Sequence, residues 1–213
     1  MNEYLTIQKQ ARAEYEIQKS LFIAYTAAVS TEFAAQEFIQ HIKKKHFDAT
    51  HNCSAYTLGF HDDIQKADDD GEPSGTAGRP ILDVLRKKSI KNAVIVVTRY
   101  FGGIKLGAGG LTRAYGKSAI LGLQAAGLIT KVRYDRFTVS LDYTYQGGLE
   151  NQLINHHFIL RERIFTDRVS FTVLARHDCQ EEFIQLMNEQ TNGTGQIKAC
   201  GEEYVDEIPA ETN

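Results

Sequence analysis

The sequence predicts an α+β protein built from two domains. Three observations lead there. A chain of 213 residues exceeds the usual single-domain length of about 100 to 150. The first half alternates strand-like and helix-like segments, and the second half reads in the order βαββαβ. The composition is that of an ordinary globular protein, with 42% hydrophobic and 24% charged residues and only three prolines. Collagen-like, coiled-coil and disordered readings are excluded.

Taken in order, residues 20–29 suit a half-buried strand. Ser30 or Thr31 can cap a helix whose Ala35, Phe38, Ile39 and Ile42 fall at i, i+3, i+4 and i+7. That helix closes on Lys43, Lys44 and Lys45, where cations favour the negative end of the dipole. Residues 51–60 form a second strand, and residues 62–78 read as a long polar loop. A helix over 78–88 carries Pro80 in its first turn, with Ile81, Leu82 and Leu85 on one face. Residues 93–98, AVIVVT, are apolar on both faces, as a central strand requires. A helix from Leu111 to Ala126 then stops at Gly127, a C′ glycine.

In the second half, strand 136–144 alternates Phe137, Val139, Leu141 and Tyr143, and a helix over 147–157 carries Leu149, Leu153 and Ile154. Strands at 159–166 and 169–175 follow. Asp178 with Glu181 makes a capping box for a helix bearing Phe183, Ile184 and Met187, and a last strand begins at Gln196. The order is that of a ferredoxin-like split βαβ sandwich. The boundary is expected near residues 130–135, dividing the chain into 1–132 and 133–213.

Charge changes sign at the same place. Residues 1–130 carry 16 Lys and Arg against 13 Asp and Glu, and the remainder 8 against 14, within a net charge of -3. This is far from the balance of a dedicated nucleic-acid binder, so any phosphate contact is local. Cys53, Cys179 and Cys200 are too few and too scattered for a disulfide framework or a structural zinc site. With no apolar leader and no membrane-spanning run, a cytoplasmic location is expected.

The segment RYFGGIKLGAGGLTRAYG, from Arg99 to Gly116, concentrates the chemistry. Gly102, Gly103, Gly107, Gly109 and Gly110 lie between a buried strand and a helix, so bare amides and a positive helix end can approach an anion. Arg99, Lys105 and Arg113 surround that junction, and Arg79 stands at the preceding helix start. AYGKS is no P-loop, because Leu111 stands where the motif needs glycine. Asp68, Asp69, Asp70 and Glu72 fail the EF-hand pattern and leave open a looser Mg²⁺ site on two carboxylates, against the favoured reading as solvated groups or partners of the nearby helix start. His51 and Cys53 share a strand face and raise a cysteine-nucleophile reading, against which Cys53 reads as a small buried hydrophobe. No cofactor and no metal are expected.

THNCSAY at 50–56, DDGEPSGTAGRPIL at 69–82 and VTRYFGGIKLGAGGLTRAYG at 97–116 resemble the three signature stretches of the Impact family, in order. The likeness is to its bacterial two-domain members, with a UPF0029-type first domain and a DUF1949-type second one. It implies an N-terminal ribosomal protein S5 domain 2-like α/β sandwich, similar to domain IV of elongation factor G. It also implies a ferredoxin-like C-terminal domain, similar to domain V of that factor. Eukaryotic members act in translational control by interfering with a kinase that phosphorylates an initiation factor. The resemblance does not extend to their partner-binding module, so that role is not carried over. RNA or ribosome contact is the expectation that the fold similarity supports, with a protein partner in translation control as a further one.

The expected phosphate contacts are Arg79, Arg99, Gly102, Gly103, Lys105, Gly109, Gly110 and Arg113, with Lys43 to Lys45 as exposed helpers. Two other classes remain open. One is a hydrolase built on His51, Cys53, Asp69, Asp70, Glu72 and Arg99, and the other is a protein-interaction module without phosphate contacts.

Overall fold

The computed structural model describes residues 2–208. The fold is α+β, with two antiparallel sheets and five α-helices among the described residues. Contacts group Tyr4–Thr130 into one compact unit and Lys131–Glu207 into another.

The chain begins with β1 (Glu3–Ile7), followed by β2 (Ala11–Ile17), β3 (Ser20–Ala28), α1 (Glu32–Lys45), β4 (His51–Leu58) and β5 (Ile64–Asp68). Then come α2 (Gly78–Lys87), β6 (Ala93–Tyr100) and α3 (Gly107–Ala126). The sheet runs β2-β3-β6-β4-β5, so β6 is central. Its alternating residues explain why AVIVVT is apolar throughout. Val94 and Val96 join Ile39 and Ile42 of α1 in one core, while Ile95 and Val97 join Ile81 and Leu85 of α2 and Leu111, Tyr115 and Leu123 of α3 in the other. Helix α1 therefore covers one face of the sheet, and α2 with α3 the other. Thr31 caps α1 by accepting from the Ala34 amide at 3.2 Å. Gly127, at φ +69°, ends α3.

Several elements differ from the expectation. Residues 62–78 are not wholly loop, because Ile64–Asp68 pairs with β4 as a sheet edge. Strand β2 lies before the first expected strand and pairs with it as a hairpin, whose turn places Gln18 and Lys19 both at positive φ, without the usual glycine or asparagine. Helix α3 starts four residues before Leu111, at Gly107. Gly102 serves packing: a Cβ there would lie 2.0 Å from the Lys19 carbonyl carbon, and its amide donates to Ser20 Oγ at 3.1 Å.

The second unit contains β7 (Leu128–Leu141), α4 (Gln146–Asn155), β8 (Ile159–Phe165), β9 (Val169–Arg176), α5 (Gln180–Gln190) and β10 (Gln196–Glu207). Strand β7 runs unbroken through the expected boundary region. Within this unit β10 pairs with β7, β7 with β9 and β9 with β8, which places its first and third strands in the middle. Phe137, Val139 and Leu141 of β7 and Phe171 and Val173 of β9 pack on Leu149 and Leu153 of α4 and Phe183 and Met187 of α5. The Asp178–Glu181 capping box does not form. A 3-10 turn over His177–Cys179 delays α5 to Gln180, and the Asp178 carboxylate faces Arg176 Nε at 3.6 Å.

One buried polar network ties α1 to its sheet. His46 Nε2 lies 2.7 Å from the Tyr25 hydroxyl and Nδ1 lies 2.9 Å from the Tyr100 hydroxyl. Tyr100 donates its own hydrogen to Asp48 at 3.0 Å. Its oxygen therefore accepts from Nδ1–H, and Tyr25 donates to a neutral Nε2. Burial, followed by the charge of Lys45, holds His46 below its ordinary value, against a smaller pull from Asp48.

Two outcomes follow. Unfolded His46 takes up a proton below about pH 6.5 while the folded ring resists it, so this stabilisation is complete above that value and is lost as pH falls through the folded value. Denaturation midpoints measured at descending pH will drop less steeply in His46→Gln. Gly102→Ala forces a Cβ onto fixed backbone and will lower stability by about 1–3 kcal/mol in urea unfolding.

Candidate functional site

Three neighbouring strands bring Phe22, Arg99 and His51 into one row, because β3 pairs Phe22 with Arg99 and β4 pairs His51 with Arg99. The row lies on the face covered by α2 and α3. The Arg99 guanidinium carbon sits 5.5 Å from the Phe22 ring centroid and 5.3 Å from that of Phe101. Its Nη1 donates to Glu72 Oε1 at 2.7 Å, and both side chains are buried, at 7% and 3% exposure. Tyr115, from the inner face of α3, donates to the same oxygen at 2.7 Å. A buried ion pair survives only with such added bonds.

Cys53 lies two residues along β4 from His51, fully buried, with its sulfur 3.0 Å from the Asp69 carbonyl oxygen and 3.3 Å from the Tyr115 hydroxyl. Burial pushes the thiol far up, and the carboxylates of Glu72, Asp70 and Asp69 add to this against an opposing bond from Tyr115. Cys53 stays a neutral thiol and offers no nucleophile.

The acidic stretch is consumed by structure. Asp69 Oδ1 accepts from the amides of Ala77 and Gly78 at 3.0 and 2.8 Å, and Oδ2 from that of Gly75 at 2.7 Å. Burial opposes its ionisation, but these three amides outweigh burial and hold the carboxyl below its ordinary value. The Ala77 and Gly78 amides at the start of α2 are thus already satisfied. Asp70 accepts from Lys43 at 2.6 Å and from the Asn52 amide at 2.6 Å, and its carbonyl oxygen accepts from His51 Nδ1 at 2.8 Å.

The start of α3 is different. Its first turn holds no acidic residue, and Leu106 provides no side-chain cap. An open cleft of about 430 Å³ lies there, lined by Thr50, His51, Glu72, Pro73, Arg99 and Phe101 on one side and by Lys105 to Ala108 and Leu111 on the other. Phe101 is 45% exposed.

Of the expected contacts, Arg99 and Lys105 line this cleft, but the Arg99 guanidinium is buried against Glu72. Arg79, Lys105 and Arg113 are exposed, and among the described residues none forms an ion pair. Arg113 stays by the first turn of α3, its Nη1 3.7 Å from where a Gly109 Cβ would be. Gly103 turns the chain at φ +85°, and Gly109 and Gly110 lie in that first helical turn. Lys43 is held by Asp68 and Asp70, Lys45 lies over the Tyr25 ring, and Lys44 is exposed; all three belong to α1, across the sheet from the cleft. Phe101, Thr50 and Tyr115 escaped the sequence reading. Tyr115, four residues after Leu111 on the buried face of α3, carried a legible signal: a polar hydroxyl where the helix needs apolar surface.

A second hollow, about 510 Å³, lies within Lys131–Glu207 and includes Tyr134, His156, Arg176 and Cys179. Its arginine is already ringed by Glu207, Glu3 and Asp178 at 3.3 to 3.6 Å, leaving no free cation for an anion. Among the described residues, no group of three or more His, Cys, Asp and Glu is placed to hold a metal. No helix among them is long and apolar enough to cross a membrane.

The Impact N-terminal domain model matches residues 18–123, and a domain of unknown function, DUF1949, matches residues 139–194. The chain is 50% identical to the IMPACT family member YvyE of Bacillus subtilis strain 168 over 198 residues, covering 93% of this chain and 91% of that one. This chain belongs to the IMPACT family. Other relatives are the IMPACT family member YigZ of Escherichia coli K12, 39% identical over 63% of this chain and 67% of YigZ. Protein IMPACT of Rattus norvegicus is 40% identical over 30% of this chain and 20% of its own length. A crystal structure titled only as that of a hypothetical protein superposes with a TM-score of 0.61 at 30% identity, covering 94% of this chain and 98% of that one. All three signature stretches fall within the Impact match, and the cleft is built from them.

The ion pair at the floor of the cleft sets a measurable cost. Glu72→Ala strands a buried guanidinium and will destabilise the protein by about 3–5 kcal/mol. Tyr115→Phe removes one bond to a charged oxygen and will cost about 1.5–3 kcal/mol. Urea denaturation of both variants checks the order.

Proposed function

We propose that this IMPACT family protein binds single-stranded RNA, on or off the ribosome, as part of translation control. The observation that carries the reading is the start of α3: a twenty-residue helix with no acidic residue in its first turn and no side-chain cap. Exposed Lys105 and Arg113 flank it. A backbone phosphate at that end gains free amides, the helix dipole and two lysine or arginine charges. Phe101, half exposed and beside the same cleft, gives a base a stacking surface. The contrast with α2, whose amides Asp69 fills, marks α3 as the open one of the two starts.

In this reading Tyr4–Thr130 is the ribosomal protein S5 domain 2-like domain and the remainder the ferredoxin-like one, divided near residue 132. The strand order β10-β7-β9-β8 supports the second assignment. Arg99 orders the cleft floor through Glu72, and the phosphate contacts fall to Lys105, Arg113 and the amides from Gly107 to Gly110. Arg79 extends the basic surface from α2.

Fluorescence anisotropy with a short single-stranded RNA tests this. For three or four phosphates, log affinity falls against log salt with a slope of roughly -2 to -3. Lys105→Ala and Arg113→Ala will each weaken binding and flatten that slope by about 0.7. Equal affinity of the double variant and the unaltered protein at physiological salt overturns the assignment.

A further inference from the structure

Opposite the α3 start, the cleft holds His51 and Glu72 side by side. His51 Nδ1 lies 2.8 Å from the Asp70 carbonyl oxygen. A carbonyl only accepts, so Nδ1 carries the hydrogen and the neutral ring keeps its lone pair on Nε2. Nε2 stands 3.8 Å from Glu72 Oε2, too far for a hydrogen bond but close enough to stabilise an imidazolium. Glu72 Oε1 is occupied by Arg99 and Tyr115, whereas Oε2 makes no hydrogen bond among the described residues, although the side chain is only 3% exposed. The His51 side chain is 21% exposed and lines the cleft together with Lys105 and Gly107. A tautomer fixed by a backbone carbonyl, a side chain that lines the open cleft and a carboxylate beside its free nitrogen make up the arrangement of a general base.

We propose that the cleft cleaves RNA by internal transesterification, with His51 as the base. The inference rests on the RNA-binding reading, because it needs a backbone phosphate at the start of α3. His51 Nε2 takes the proton of the ribose 2′-hydroxyl next to that phosphate. O2′ forms a bond to phosphorus as the bond from phosphorus to O5′ breaks. The electron pair leaves on O5′, which takes a proton from the Lys105 ammonium; Lys105 then regains one from solvent and His51 returns its own to solvent. The products are a 2′,3′-cyclic phosphate and a 5′-hydroxyl, with no oxidant, reductant or external nucleophile consumed. The first-turn amides of α3 and Lys105 meet the negative charge that grows on the phosphoryl oxygens. Glu72 is a positioning residue, holding the ring's charged form after proton transfer.

The test uses the full chain, in EDTA to silence contaminating metal-dependent nucleases. The probe is a labelled DNA oligonucleotide carrying a single ribonucleotide, with a 2′-O-methyl version alongside. Cleavage at the ribonucleotide, ending in a cyclic phosphate, is expected, with the 2′-O-methyl version bound but uncut. His51→Asn keeps a side-chain N–H for the Asp70 carbonyl and removes the base, and it will cut about a hundredfold more slowly or worse. Bound but uncut ribonucleotide overturns the cleavage inference and leaves RNA binding standing. Undiminished cutting by His51→Asn also overturns it, and failure of every oligonucleotide to bind overturns both readings.

Discussion

The Glu72–Arg99 pair is the constraint around which the N-terminal unit is arranged. Arg99 ends the central strand, Glu72 comes from the segment between β5 and α2, and Tyr115 reaches the pair from α3. Three separate parts of the chain therefore meet on one carboxylate oxygen. Removing any partner leaves a polar group in an apolar environment, which makes the geometry close to all-or-none. The pair also sets the cleft, because both its residues line it together with His51 of β4 and the start of α3.

Charge is allotted unevenly around that centre. The acidic run from Asp68 to Glu72 looks on paper like a metal or solvent feature, yet its carboxylates meet Lys43, the α2 amides and Arg99. With those anions engaged, none reaches the first turn of α3, and Lys105 and Arg113 keep their charge unpaired at its edge. The unequal treatment of two glycine-bearing helix starts, one filled from within and one open, makes the cleft suited to an external anion.

Much of the fold was legible because burial leaves a period in the sequence. AVIVVT read as central and is central, and α1 showed its i, i+3, i+4 stripe and its Thr31 cap. The failures have physical causes as well. Strand β2 does alternate Ala11, Ala13, Tyr15 and Ile17 against Arg12, Glu14 and Glu16, but two alanines give a faint signal, and its turn through Gln18 and Lys19 carries no glycine. Strand β5 is a half-exposed edge whose polar residues look like loop. The α3 start was misplaced because glycines read as turn, although neighbouring helix and sheet can hold them helical. The expected cap at Asp178 lost to a nearby arginine and a 3-10 turn.

By itself the sequence determined the family, the α+β class and the segments from which the cleft is made, since hydrophobic period and signature spacing are local properties of the chain. It also named His51, Glu72, Arg99 and Lys105 as chemically interesting residues. Only the tertiary structure decided their states: Arg99 paired and buried, Lys105 free, Cys53 sealed as a thiol, and His51 with Nδ1–H spent on the Asp70 carbonyl. A charge is free or engaged according to partners distant in sequence, twenty-seven residues away for Arg99 and Glu72, and a one-dimensional pattern does not record that distance in space.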